Sequence, residues 1–253
     1  MIRKGLLLPD SQPVGVGINE ARRGIADLGD CQVSVIFKRV LEPELAAELF
    51  CSLLARELAL PAPEPILLFD PLAGDYLFGS VDMEYPNSLR AFNIGPHNAD
   101  LAAQRQLKEA VSAWSELKHV TAFDEWIHNR DRNLGNLLYA GPESFVIIDH
   151  GKALDIDKTY PSGNHLCNLL IGNCPDSKTQ RALLRNLQRI AATFDLLHVE
   201  RPRANLESTG IPSHPTSAET FYNLVEDRLS LLPTLLQNRM PGQHGLMIGS
   251  STT

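Results

Sequence analysis

The sequence predicts an α+β fold of two lobes: a small N-terminal β-sheet lobe with one helix over residues 1–85, and a larger, mainly helical lobe over residues 86–253. Three observations predict it. Short apolar runs of strand character cluster before residue 82, with a single leucine-spaced helix among them. Residues 86–99 are rich in Asn, Pro and Gly, the composition of a connector between lobes. Beyond them, apolar residues at three- and four-residue spacing recur in long segments, interrupted by one strand–turn–strand unit.

Taken in order, residues 14–18 and 33–40 read as a hairpin with Gly24 and Gly29 in a flexible tip, and the second strand alternates small and apolar residues up to Lys38. Residues 42–60 form a helix: Leu45, Leu49, Leu53, Leu54 and Leu58 keep its period, Pro43 suits the first turn and Pro61 ends it. Pro61, Pro63 and Pro65 feed a strand at 66–69, whose partner is 76–81 across a turn at 70–75. A long helix covers 99–117, with Leu101, Leu107, Val111, Trp114 and Leu117 on its apolar side. Residues 137–139 and 145–148 are short strands around a Gly-Pro turn. Helices at 177–197 and 218–237 follow, separated by a proline-containing surface loop at 200–215. Residues 241–253 read as a frayed tail.

With 253 residues the chain buries roughly 75% of its unfolded surface, enough for a two-lobed unit. A net charge of −7 argues against a broad basic nucleic-acid face, so no direct nucleic-acid partner is expected. No apolar run reaches the length of a membrane span, and the run near residue 6 is too short for a signal-peptide core. A cytoplasmic protein without membrane contact is expected. Cys31, Cys51, Cys167 and Cys174 lie far apart, as suits reduced thiols.

Function is carried by residues 123–154, FDEWIHNRDRNLGNLLYAGPESFVIIDHGKAL. Asp131 is followed five positions on by Asn136, and Asp149 closes the second strand of the hairpin. Phosphoryl transfer needs a carboxylate to orient the attacking hydroxyl and oxygen ligands for the magnesium that bridges nucleotide phosphates. Asp131 suits the first task; Asn136 and Asp149 suit the second, because Mg²⁺ takes few protein ligands. The hairpin returns Asp149 close to Asn136.

The same chemistry needs a cation on a strand of the small lobe and an anion on its helix to hold that cation. Lys38 is the candidate cation, with Arg39 alternating to the opposite face. Glu48 is the best helix partner. Residues 24–29 are the candidate for closing over the phosphates, although they follow no glycine-loop pattern. Ser80, Val81, Asp82 and Met83 form the candidate hinge that binds adenine through backbone groups. This is a bilobal, protein-kinase-like arrangement with ATP in the cleft.

These segments resemble the HipA-like kinases, a bacterial protein-kinase group related to phosphoinositide kinases. AELFCSLLARELALPAPEPILL (47–68) is similar to that family's helix and proline-rich strand entry, with Glu48 in the position of the helix glutamate. YLFGS (76–80) resembles the strand near the hinge, and 123–154 resembles the catalytic and metal-binding segments. The resemblance covers roughly 33–154 and implies ATP and Mg²⁺, Ser/Thr phosphorylation of a protein, Asp131 as catalytic aspartate, and Asn136 and Asp149 as metal ligands. An operon-encoded regulator is a candidate partner. Asn133 stands where many members have His, and the chain lacks room for the N-terminal subdomain of full-length HipA toxins, so toxin activity is not carried over.

Two other readings fit part of the pattern. An aminoglycoside- or choline-type phosphotransferase shares the D-x-x-x-x-N and I-D segments, but His128 stands one residue too far upstream of Asp131. A nucleotide-binding regulator or pseudokinase would act by protein contact, yet all three polar positions are filled.

Overall fold

A computed structural model describes residues 2–14, 21–95, 100–154, 163–211 and 215–241. The chain opens with β1 (Arg3–Leu7), β2 (Gln12–Pro13), β3 (Arg22–Asp27) and β4 (Gln32–Lys38), then helix α1 (Glu42–Glu57), then β5 (Pro65–Asp70) and β6 (Asp75–Val81). The sheet order β1-β5-β6-β4-β3-β2, with an added β1–β3 pairing, closes five strands into a barrel, and β2 extends β3. Only β1 with β5 is parallel. Alternate residues fill the interior: Leu7, Ala26, Val35, Phe37, Ile66, Leu68 and Leu77 form one apolar cluster.

Several expectations change here. The partner of β4 is β3, so Gly24 lies within a strand opposite Val35 rather than in a hairpin tip. Its missing side chain is what lets Phe37 fill the barrel, since a Cβ there would stand 3.0 Å from the Phe37 ring. The turn is a tight one at Leu28–Cys31 that places Gly29 at φ 89°, so residues 24–29 are strand and turn, with no loop to close over phosphates. Most of the strand expected at 14–18 lies outside the described residues. The run at the N-terminus, read only for its lack of signal-peptide character, is strand β1.

The helical part comprises α2 (Ser88–Ala91), α3 (Leu101–Ala113), α4 (Leu117–Trp126), α5 (His165–Gly172), α6 (Ser177–Ala191), α7 (Leu197–Glu207) and α8 (Pro215–Asn238), with the hairpin β7 (Leu137–Gly141) and β8 (Ser144–Ile147) between α4 and α5. The helix expected at 99–117 breaks at Trp114, which takes an extended conformation and packs its ring on Phe145. The helix expected at 177–197 stops at Ala191. The expected surface loop at 200–215 is largely α7, with Pro202 inside it: burial of Val199, Pro202 and Leu206 against the rest of the fold overrides the proline's preference. Helix α5, absent from the sequence reading, is capped by Asn164 on the Cys167 N–H at 3.0 Å. The tail from residue 242 lies outside the described residues.

One apolar core joins α1, the outer barrel residues Leu67 and Phe78, the β7–β8 hairpin and the helices. Helix α1 thereby packs on the barrel at one side and on α7 at the other. Among the described residues no helix is long and apolar enough to cross a membrane.

Candidate active site

Strand alternation sets the first component. Val35 and Phe37 point into the barrel, so Lys38 points out toward α1, where its ammonium lies 5.9 Å from the Phe78 ring centroid. The Lys38 ammonium sits 2.5 Å from Glu48 Oε1 and 2.7 Å from Asp149 Oδ1, joining β4, α1 and the segment after β8. Glu48 Oε2 accepts the backbone N–H of His150 at 2.8 Å. Arg39 takes the other face and pairs with Asp70 and Asp75.

Of this triad, Lys38 and Glu48 are withdrawn from water and Asp149 is half-buried. Burial works against the Lys38 ammonium, but the carboxylates of Glu48 and Asp149 outweigh it and hold its pKa above the ordinary value. Glu48 is fully buried; burial raises its pKa, but Lys38 first and the His150 side chain second overcome that penalty and hold its carboxyl below the usual carboxylate range. Asp149 is the weak acid of the set, raised by burial and then by repulsion from Glu48, with Lys38 opposing.

The second component is the loop after α4. His128 takes a left-handed φ of 54° and Asn129 N–H bonds the Asp124 carbonyl at 2.8 Å, which turns the chain out of the helix. Asn129 Oδ1 accepts the Asp131 N–H at 3.1 Å. The Asp131 carbonyl accepts Asn136 Nδ2 and the Asn133 N–H, each at 2.7 Å, folding 131–136 into a tight turn that ends as a 3₁₀ segment. Leu137 pairs with Ile147, and Ile148 N–H bonds the Asn136 carbonyl at 3.1 Å, so Asn136 and Asp149 end side by side. Asp149 itself has φ 63°, a conformation Asp tolerates better than most residues.

Residues absent from the sequence reading hold this loop. Arg132 is buried, bonds the Asp124 carboxylate at 3.2 Å, and donates to the carbonyls of Asn136 and Ile148. It thereby ties both candidate metal-binding residues to α4. On the opposite side of that helix end, Arg239 bonds the buried Glu125 carboxylate at 3.0 Å, and Arg228 donates to the carbonyls of Glu125 and Trp126. Asn87 and Ser88 donate to the carbonyls of Gly135 and Leu134, anchoring the connector on the same loop. Gly151 lies where a Cβ would stand 2.5–2.9 Å from Glu44, so α1 sits directly on the chain that follows Asp149. An Arg or His flanking an Asp carries no sequence signal of burial; only the apolar run before Asp124 hints that this helix end lies inside.

At the hinge, Ser80 is in the ladder opposite Ile36 and Pro65. The Val81 and Asp82 N–H groups bond the Glu64 and Ser34 carbonyls, both at 2.9 Å. The Asp82 carboxylate accepts from Arg23 Nε at 2.5 Å, from Ser34 Oγ and from the Glu84 N–H. Among the described residues the Met83 N–H makes no such bond. Ile25 and Ile36 lie outward on the barrel face that carries Lys38 and retain exposure, forming an apolar ceiling.

The structure thus brings Lys38, Glu48 and Asp149 into contact, sets Asn136 beside Asp149, and ties the Asp131 carbonyl to the Asn136 amide, with Ser80, Val81, Asp82 and Met83 at the end of β6. Among the described residues no three His, Cys, Asp or Glu side chains form a metal cage. Asn136 and Asp149 nevertheless fit a magnesium ion that keeps phosphate and water ligands. The Asn136 amide nitrogen is engaged by the Asp131 carbonyl, which leaves Oδ1 as acceptor, and a cation would relieve the repulsion Asp149 feels from Glu48.

A family model described as HipA-like kinase matches residues 35–229. No curated protein matches. Among solved structures, the crystal structure of the Helicobacter pylori proinflammatory kinase CtkA is similar with a TM-score of 0.58 at 14% identity, over 92% of this chain and 94% of that one. At that identity the likeness speaks for a kinase-like fold.

Proposed function

Because this chain belongs to the HipA-like kinases, we propose that it is an ATP- and Mg²⁺-dependent phosphotransferase acting on a Ser or Thr hydroxyl of a protein. The lobes 1–85 and 86–253 would hold the nucleotide between them. The observation that carries the reading is the contact of Lys38 with both Glu48 and Asp149, side chains from three elements far apart in sequence. A buried ammonium paired with a helix carboxylate, beside a loop carboxylate that could take magnesium, suits phosphoryl transfer.

Each residue then has a task. Glu48 fixes Lys38 so that its ammonium can meet nucleotide phosphate oxygens, and Met83 N–H serves the adenine edge beneath Ile25 and Ile36. Asp131 orients the acceptor hydroxyl and takes its proton as the oxygen–phosphorus bond forms and the bond to the leaving ADP oxygen breaks. Asn136 and Asp149 would hold magnesium, which supplies neutralisation of phosphate charge when bound. Arg132 positions both through their backbone.

Incubation of the purified protein with Mg²⁺ and ATP labelled on either the γ- or the α-phosphate, with and without cell lysate, tests the assignment. Transfer of γ-label to protein Ser or Thr, located by mass spectrometry and lost in Asp131→Ala, is expected. Transfer of α-label would make it an adenylyltransferase, and label on a small alcohol alone would reject the protein acceptor.

A further inference from the structure

Away from the cleft, helix α6 holds four cations and no carboxylate: Lys178, Arg181, Arg185 and Arg189. Its buried face is Leu183, Leu184, Leu187 and Ile190, so the cations line the opposite face, and all four are exposed. Among the described residues none of the four lies within ion-pair distance of a carboxylate. The N-cap Asp176 is committed to the Thr179 N–H and hydroxyl at 2.7 and 2.9 Å. Like charges one turn apart destabilise a helix, and the chain as a whole carries net charge −7. Three arginines in line on such a chain are therefore a local departure from its charge balance.

Their spacing selects a partner. Four residues of helix advance about 6 Å, and two residues of extended chain advance about 6.6 Å. Carboxylates at alternate positions of an extended segment would therefore meet Arg181, Arg185 and Arg189 in register, and guanidinium groups suit carboxylates through paired hydrogen bonds. We propose that the outer face of α6 binds an acidic, extended segment of a protein partner. Helix α6 carries no aromatic side chain on which bases could stack, and its apolar face is buried, which removes the surface an interfacial helix inserts into lipid. Because α6 packs on α4, the bound segment would be held on the part of the molecule that presents Asp131. The proposal stands independently of the phosphoryl-transfer reading.

The test uses the full chain and a fluorescently labelled peptide of alternating Glu and Ser. Its Gln–Ser counterpart, a single-stranded oligouridine and phosphatidylcholine vesicles containing phosphatidylserine serve as competitors. The Glu–Ser peptide should bind, should weaken as salt rises, and should lose at least about tenfold affinity in Arg181→Gln/Arg185→Gln/Arg189→Gln, whose melting temperature and ATP turnover stay as in the parent. Three results would overturn it: binding no tighter than the Gln–Ser peptide, equal binding by the triple variant, or tighter capture of oligouridine or vesicles through the same arginines.

Discussion

Replacing Arg132 with Met separates two effects that the structure joins. Arg132 and Asp124 are each 1% exposed, and their ion pair lies behind the catalytic turn. Removing the cation leaves the Asp124 carboxylate buried beside only the Asn129 amide at 3.3 Å; breaking one side of a buried pair costs about 3–5 kcal/mol. That is a large part of the 5–15 kcal/mol by which domains are typically stable. The Asn136 carbonyl keeps its bond from Ile148 N–H, so it adds little to the loss. The double variant Asp124→Leu/Arg132→Met removes both charges, and apolar replacement of a buried pair is often neutral. Urea denaturation should therefore show a coupling of at least about 2 kcal/mol between the two sites. Turnover should not recover with it. Asn136 and Asp149 lose their shared tether, and a displacement of about 1 Å at reacting groups costs on the order of 10²-fold in rate. A double variant with restored stability and parental turnover at saturating ATP would refute the positioning role of Arg132; a single variant that loses less than about 1 kcal/mol would refute the buried pair.

Asp131→Ala should lower turnover by about 10²–10⁴-fold with an unchanged melting temperature, and normal turnover would remove Asp131 from the chemistry. Asp149→Ala should weaken the magnesium dependence of nucleotide binding, read by calorimetry at varied Mg²⁺; an unaltered dependence would place the cation elsewhere. His150 is fully buried, and burial first and Arg132 second hold its pKa below the ordinary 6.5. The unfolded chain therefore binds a proton that the folded chain refuses, and stability falls as pH drops below about 6.5, by up to about 1.4 kcal/mol per unit. His150→Phe should flatten that slope and keep activity, because Glu48 uses the backbone N–H at this position; an unchanged slope would assign it to other groups. Gly151→Ala should press on Glu44 and lower turnover roughly tenfold, about 1.4 kcal/mol, with Glu44→Ala restoring it; failure of that rescue would place the damage away from α1.

Much of the frame was legible because it rests on local periodicity. The leucines of α1, the prolines that end it, the β5–β6 pair and the β7–β8 hairpin are patterns within a few residues, and the structure places all four close to where those patterns put them. Long-range pairing left no such trace. Barrel closure joins β1 to β3 and β5, and nothing in either run names its partner. Helix α7 keeps Pro202 because its apolar face meets the core, a tertiary gain that outweighs local preference and cannot be summed from the segment alone.

The site divides along the same line. Lys38, Glu48, Asp131, Asn136 and Asp149 stood out because phosphoryl transfer requires those residue types, while Arg132 and His150 act through backbone groups, and Asp124 through Arg132, at positions only the fold supplies. Glu48 shows how closely the two sets are joined. One of its oxygens meets the Lys38 ammonium and the other accepts the His150 N–H, so the placement of α1 and of the segment after β8 is a single constraint. Asp149 lies between those two contacts. Its left-handed φ of 63° lets its carboxylate reach Lys38 while the next N–H reaches Glu48, and a residue held in a sparsely populated backbone region persists only where its surroundings fix it from both sides. Loosening either oxygen of Glu48 should therefore release Asp149 as well as Lys38, which makes the helix glutamate as much a support of the candidate metal ligand as of the phosphate-binding cation.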